Sequence, residues 1–214
     1  MRKIIKEEVD DVMKVITLGE SGVGKTCIIN RYIKDIFEEK SLSTIGIKFA
    51  YKQVKLENGK FINIKLVDTA GQEKFRALTK SYFKNVDAVL FIFSINNQDS
   101  FDNIINWINL FNENHNGKEG IPMYLIGNKS DQDRIVQKYV VDEFIIKNKY
   151  KYYETSAKEN SGINELFQDL CEDLYKFFVE TGGKRRREQS TQKLSKYDGK
   201  NGISICNCMK LNWI

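Results

Sequence analysis

The chain has 214 residues, 41% hydrophobic and 29% charged, which suits one globular domain of ordinary size plus a tail and not a fibrous or disordered chain. No run approaches 18 consecutive apolar residues, so no membrane-spanning helix is expected; Met1-Arg2-Lys3-Ile4-Ile5-Lys6-Glu7-Glu8 has neither a signal-peptide core nor the glycine that N-myristoylation needs. Of the net charge of +5, the segment from Thr181 onward carries +6 (eight Lys and Arg against two Asp and Glu), leaving −1 for residues 1–180, so no nucleic-acid partner is expected of the domain.

Residues 12–18 are predicted to form a strand and 25–34 a helix. Two further strands, 51–56 and 61–68, are joined by Glu57-Asn58-Gly59-Lys60, where Asn-Gly is a strong hairpin signal. A strand at 88–94, a helix at 100–114, a strand at 123–127, a helix at 136–148, a short strand at 151–154 and a helix at 162–180 follow. Phe101, Ile104, Ile105, Ile108 and Phe111, and likewise Leu166, Leu170, Leu174 and Phe177, recur at helical spacing and are assigned to the core. The alternation predicts an α/β fold, a mostly parallel six-stranded sheet with helices on both faces and one antiparallel hairpin at its edge. Residues 1–10 are expected to be an N-terminal extension and 11–180 the domain. Thr181-Gly182-Gly183 should end the last helix, with 181–214 a flexible basic tail.

The four cysteines, Cys27, Cys171, Cys206 and Cys208, show neither zinc-site spacing nor a disulfide framework, which fits a reducing cytosol. His115 is the one histidine. It is read as a solvated loop residue, and chemistry based on histidine is unsupported.

Three motifs fall at C-terminal strand ends, where sheets of this kind bind ligands. Gly19-Glu20-Ser21-Gly22-Val23-Gly24-Lys25-Thr26 matches G-x-x-x-x-G-K-[ST] between the first strand and first helix. Its backbone N–H groups, with that of Cys27, would cradle phosphate at the positive end of a helix dipole. Lys25 would reach the β- and γ-phosphates, and the Thr26 hydroxyl would ligate Mg²⁺. Asp68-Thr69-Ala70-Gly71-Gln72-Glu73 ends the third strand. Asp68 suits the acidic Mg²⁺ partner, acting through water. Gly71 lets its N–H approach the γ-phosphate, and Gln72 would orient the attacking water.

Asn128-Lys129-Ser130-Asp131 follows the fifth strand. A carboxylate at Asp131 is acceptor-only and matches the N1–H and N2 amino donors of guanine, which adenine lacks. Leaving it buried and unpaired against ATP would discriminate by ~10⁴-fold or more. The Lys129 stem would cover one face of the base and Phe37 the other. Glu154-Thr155-Ser156-Ala157-Lys158 would present the Ala157 N–H to guanine O6, with Ser156 and Lys158 beside it.

In this order, the motifs resemble the Ras superfamily of small GTPases over residues 11–180. Ser43-Thr44-Ile45-Gly46-Ile47-Lys48-Phe49, Gln72-Glu73-Lys74-Phe75-Arg76-Ala77-Leu78-Thr79, Tyr82-Phe83 and Leu90-Phe91-Ile92-Phe93-Ser94 are similar to Rab segments. The resemblance implies a three-layer P-loop GTPase fold and a slow GTP-hydrolysing switch, a monomer acting in vesicle traffic at the cytosolic face of an endomembrane. It implies that Thr44 gives a second Mg²⁺ ligand, that switch I covers 38–49 and that switch II covers 69–82. Exchange factor, GTPase-activating protein and effectors would be the partners. Rab proteins usually carry Trp where Val67 stands and Asp where Lys48 stands; these positions are assigned to the effector-facing surface, Val67 alternatively to the core edge. Cys206-Asn207-Cys208 resembles the doubly prenylated pair of Rabs, which would bring a membrane and a dissociation inhibitor as partners. Six residues follow Cys208, so free tail thiols stand as the alternative, and the cations Lys184-Arg185-Arg186-Arg187 are either solvated or attracted to anionic lipid. The competing functions are a non-hydrolysing nucleotide-binding scaffold and a soluble Ran-like carrier.

Overall fold

Six strands and five helices follow from these patterns in a computed structural model that describes residues 8–39, 44, 46–71, 80–117 and 119–182, the side chains of 8–11 excepted. The described strands are β1 (Glu8–Leu18), β2 (Ile47–Lys55), β3 (Phe61–Thr69), β4 (Ala88–Ser94), β5 (Met123–Asn128) and β6 (Lys151–Thr155). The helices are α1 (Lys25–Lys34), α2 (Gln98–Asp102), α3 (Ile104–Asn114), α4 (Lys138–Asn148) and α5 (Ile163–Glu180). The sheet runs β2-β3-β1-β4-β5-β6, with β2 antiparallel to β3 and every other neighbour pair parallel.

Period-two alternation divides the core between the two faces. All seven residues of β4 are buried. Ala88, Leu90 and Ile92 pack with Ile28, Ile29 and Tyr32 of α1 and with Leu166, Leu170 and Leu174 of α5. Val89, Phe91 and Phe93 pack on the opposite face with Phe101, Ile104, Trp107, Ile108 and Phe111. Each large side chain removed from water in this way contributes roughly 1.5–3 kcal/mol. A strand buried on both faces must be central, and its C-terminal end is therefore held from both sides.

Several expectations are revised. β1 begins at Glu8, inside the expected extension, because Glu8 pairs with Phe61 ahead of a register shift before Val12. β2 begins at Ile47, four residues early, because its antiparallel pairing continues from Tyr51↔Lys65 to Ile47↔Thr69. The helix expected at 100–114 starts earlier, capped by the Asn97 side chain on Ser100 N at 3.0 Å, and is interrupted at Asn103. Ile105 then lies 44% exposed while Trp107 takes the inward position, so Ile105 is not core. Nor is His115 a solvated loop residue: half-buried, it stacks on Phe111 with centroids 4.7 Å apart, its Nδ1 2.9 Å from the Phe83 carbonyl.

Candidate functional site

The C-terminal ends of β1, β3, β5 and β6 open onto one cavity of about 320 Å³. Its walls include Ser21, Gly22, Gly24, Lys25, Thr26 and Cys27 from the loop and helix after β1, and Phe37 and Thr44 from the segment before β2. Thr69 and Gly71 close one side; Asn128, Lys129, Asp131, Ala157 and Lys158 close another. Glu38, Glu39 and Gln132 also line it, and no sequence motif singled them out as contacts. Gly19, Glu20, Val23, Asp68 and Ser156 are not among the residues that line it.

The loop of residues 19–26 is built by close approach. Gly24, the residue before α1, has φ +98°, and a Cβ there would stand 2.2 Å from Asn128 Nδ2. That amide donates to the Val23 carbonyl at 2.8 Å, while its oxygen accepts from the Thr155 hydroxyl at 3.1 Å. Asn128, 2% exposed, thereby ties the first loop to the two others. A Cβ on Gly71 would meet the Glu20 carbonyl and Ser21 nitrogen at 2.4 Å, so the β3 end also rests on this loop. α1 has no side-chain cap, which leaves first-turn amides for an anion.

One end of the cavity concentrates charge. Lys25 is 5% exposed, and its ammonium donates to the Gly19 and Glu20 carbonyls at 2.8 and 2.7 Å. Burial pushes it down to about 8, a shift that Asp68 and Glu20 partly offset. Burial pushes the Asp68 carboxyl up, against the Thr26 hydrogen bond and the nearby Lys25 and Lys48 charges. Thr26 Oγ1 donates to Asp68 Oδ2 at 2.8 Å, so it accepts from Thr44 Oγ1 at 2.7 Å. Asp68 Oδ1 is buried without a hydrogen-bond partner among the described residues. Two hydroxyls and a carboxylate with a spare buried oxygen form a hard-oxygen set that fits Mg²⁺. The other end carries Asp131, whose Oδ1 accepts from Ser156 Oγ at 2.5 Å; Ser156 Oγ in turn accepts from Glu159 N at 3.0 Å.

Gln72 lies outside the described residues, as do Ser43, Ile45, most of switch II, the Lys184–Arg187 run, Cys206 and Cys208. Val67 is not on an exposed surface: it is fully buried in the second core cluster, opposite Phe49 in the β2–β3 register. Phe49 itself is 43% exposed beneath the Lys65 ammonium, 4.1 Å from its ring. No sequence motif singles out Arg31 of α1, yet it donates to the carbonyls of Ala157 and Lys158.

The family model described as "Ras family" matches residues 14–176. Ras-related protein Rab-13 of Rattus norvegicus is 36% identical over 183 residues, 85% of this chain and 87% of that protein. Ras-related protein Rab-10 of Diplobatis ommata is 38% identical over 171 residues, covering 79% and 84%. Ras-related protein Rab-8B of Homo sapiens is 37% identical over 167 residues, covering 77% and 79%. With this sheet order and this cavity, the chain belongs to the Ras family and is a small GTP-binding, GTP-hydrolysing switch similar to Rab proteins.

Proposed function

We propose that the cavity grips GTP with its phosphates at the Lys25 end and its base at the Asp131 end, and that the resulting switch regulates vesicle traffic. The observation that carries this reading is the convergence of four sequence-distant loops on one cavity with a buried lysine and Thr26, Thr44 and Asp68 at one end and an acceptor-only carboxylate at the other. The shifts of Lys25 and Asp68 support it, since a buried ammonium and a buried carboxylate each gain from a counter-charge that a phosphate and a cation would bring.

Thr26, Thr44 and, through water, Asp68 would hold magnesium, which when bound neutralises charge on the phosphate oxygens. Lys25 and the loop amides, including that of Cys27, bind the same oxygens, and Gln72 orients a water in line with the γ-phosphate. Among the described arginines, Arg31 is committed to the 157–158 carbonyls and Arg134 to Glu154 at 2.5 Å. Neither is placed to serve as an arginine finger. Intrinsic turnover on the order of 10⁻⁴–10⁻³ s⁻¹ is expected, with an activating protein supplying a further cation. Thr44 and Gly71 order the two switches around the γ-phosphate, the state an effector would read, and hydrolysis releases them.

No helix among the described residues is long and apolar enough to cross a membrane. Attachment to a cytosolic membrane face would fall to Lys184–Arg187 and to prenylation of Cys206 and Cys208, with a dissociation inhibitor as the soluble carrier. Single-turnover phosphate release tests the chemistry: Gln72→Leu should slow it at least tenfold while GTP binding is kept. Release at the wild-type rate would refute the role of Gln72.

A further inference from the structure

The segment 156–161 carries Ala157 and Lys158 on the cavity wall, and its own ends are paired by Ser156 N to Ser161 O at 3.0 Å and Ser161 N to Ser156 O at 3.1 Å. The strongest side-chain hold on its middle comes from another element. Arg31 of α1, with its side chain only 14% exposed, is not on the cavity wall. Its Nε donates to Ala157 O at 2.9 Å and its Nη2 to Lys158 O at 3.2 Å. Its Nη1 donates to both the carbonyl and the carboxylate of Asp35 at 3.0 Å. Asp35 ends α1 in the left-handed region at φ 55° and accepts from Asn160 Nδ2 at 3.2 Å. All three guanidinium nitrogens are engaged, and a planar fork with fixed donor directions cannot satisfy four acceptors in more than one arrangement.

In a trans peptide the C=O and the N–H lie in one plane and point in opposite directions. Turning Ala157 O toward Arg31 therefore turns the Lys158 N–H the other way and fixes the plane on which the Ala157 amide is also hinged. We propose that Arg31 is a positioning residue for purine recognition: from behind the wall it fixes the 157–158 peptide so that backbone donors meet the 6-oxo group of the base. This rests on the reading of the cavity as a guanine site. Because Arg31 stands on the helix that begins at Lys25, the base loop is located by the same element that closes the phosphate loop.

The test measures binding of three nucleotides to the full chain: GDP; 6-thio-GDP, in which a poor acceptor replaces O6; and IDP, which lacks the N2 amino group facing Asp131. Wild type should penalise both analogues. In Arg31→Ala, GDP should dissociate roughly tenfold faster, the scale of losing two hydrogen bonds. The 6-thio penalty should shrink toward one while the IDP penalty stays within about twofold of wild type. Arg31→Lys keeps the charge but not the fork, so it should behave as Arg31→Ala. General loosening of the fold would lower both penalties together, and that result overturns the proposal. An unchanged 6-thio penalty in Arg31→Ala, or a wild-type ratio restored by lysine, overturns it too. If wild type penalises neither analogue, the guanine reading itself falls, and the proposal with it.

Discussion

Replacing Gly24 with alanine perturbs a contact that joins the phosphate end of the cavity to its base end. Gly24 sits at φ +98°, a conformation that costs an L-residue about 1–2 kcal/mol. The added Cβ would stand 2.2 Å from Asn128 Nδ2, so the amide must move. Moving it removes the 2.8 Å bond to the Val23 carbonyl and the 3.1 Å bond from the Thr155 hydroxyl, and both partners are buried. Orphaning two such groups costs roughly 2–4 kcal/mol once partial relaxation is allowed. The free protein can relax the loop, but the nucleotide complex needs it in place, so the cost falls on affinity. Gly22→Ala is the matched control, for it has a similar φ of +79° and nothing within 4 Å of its Cβ. The backbone term is common to both variants. Gly24→Ala should therefore bind GDP weaker than Gly22→Ala by roughly 30-fold to 1000-fold, measured from association and dissociation rates of the full chain. Equal affinities in the two variants would refute the argument that Asn128 transmits the effect.

Asp131→Asn exchanges an acceptor for a mixed donor and acceptor, so GDP affinity should fall ~10²-fold or more and xanthosine diphosphate should gain, read by competition. Chelating magnesium should speed GDP release from the wild type; Asp68→Asn should show a much smaller chelator effect, and an equal effect in both would contradict the assignment of Asp68. Cys171 is fully buried, and burial pushes its thiol from 9.0 up to about 12. At pH 8 it should react with an alkylating reagent only on unfolding. The unfolded thiol ionises first, so Cys171 lowers stability as pH rises from 9 toward 12, an effect absent from Cys171→Ala.

Much of this architecture was legible because its signals are local. α1 and β4 have the boundaries read from sequence, since Lys25–Lys34 follows a phosphate-loop motif and Ala88–Ser94 is an unbroken apolar run of strand length. Boundaries set by pairing were not legible: only the register with β3 carries β2 back to Ile47. The Asn97 cap, with Asp99 in the first turn, was a readable start signal, whereas the interruption at Asn103 that turns Ile105 outward was not. At the site, the motifs named most wall residues of the four loops. Glu38, Glu39 and Gln132 reach the wall through loop course alone. Arg31 was invisible because its partners are carbonyls more than 120 residues away, and main-chain acceptors leave no residue-type signature. Of the two readings of Val67, effector-facing surface or core edge, burial favours the core: on β3 it alternates with Leu66 toward the second cluster, which also holds Phe83 and Phe91.

The central claim is tested most directly by equilibrium competition of GDP and ADP for the purified chain in the presence of magnesium. With Asp131 at the base end and Lys25 at the phosphate end, GDP should win by ~10⁴-fold or more, and the preference should collapse in Asp131→Ala. ADP binding within tenfold of GDP would contradict it.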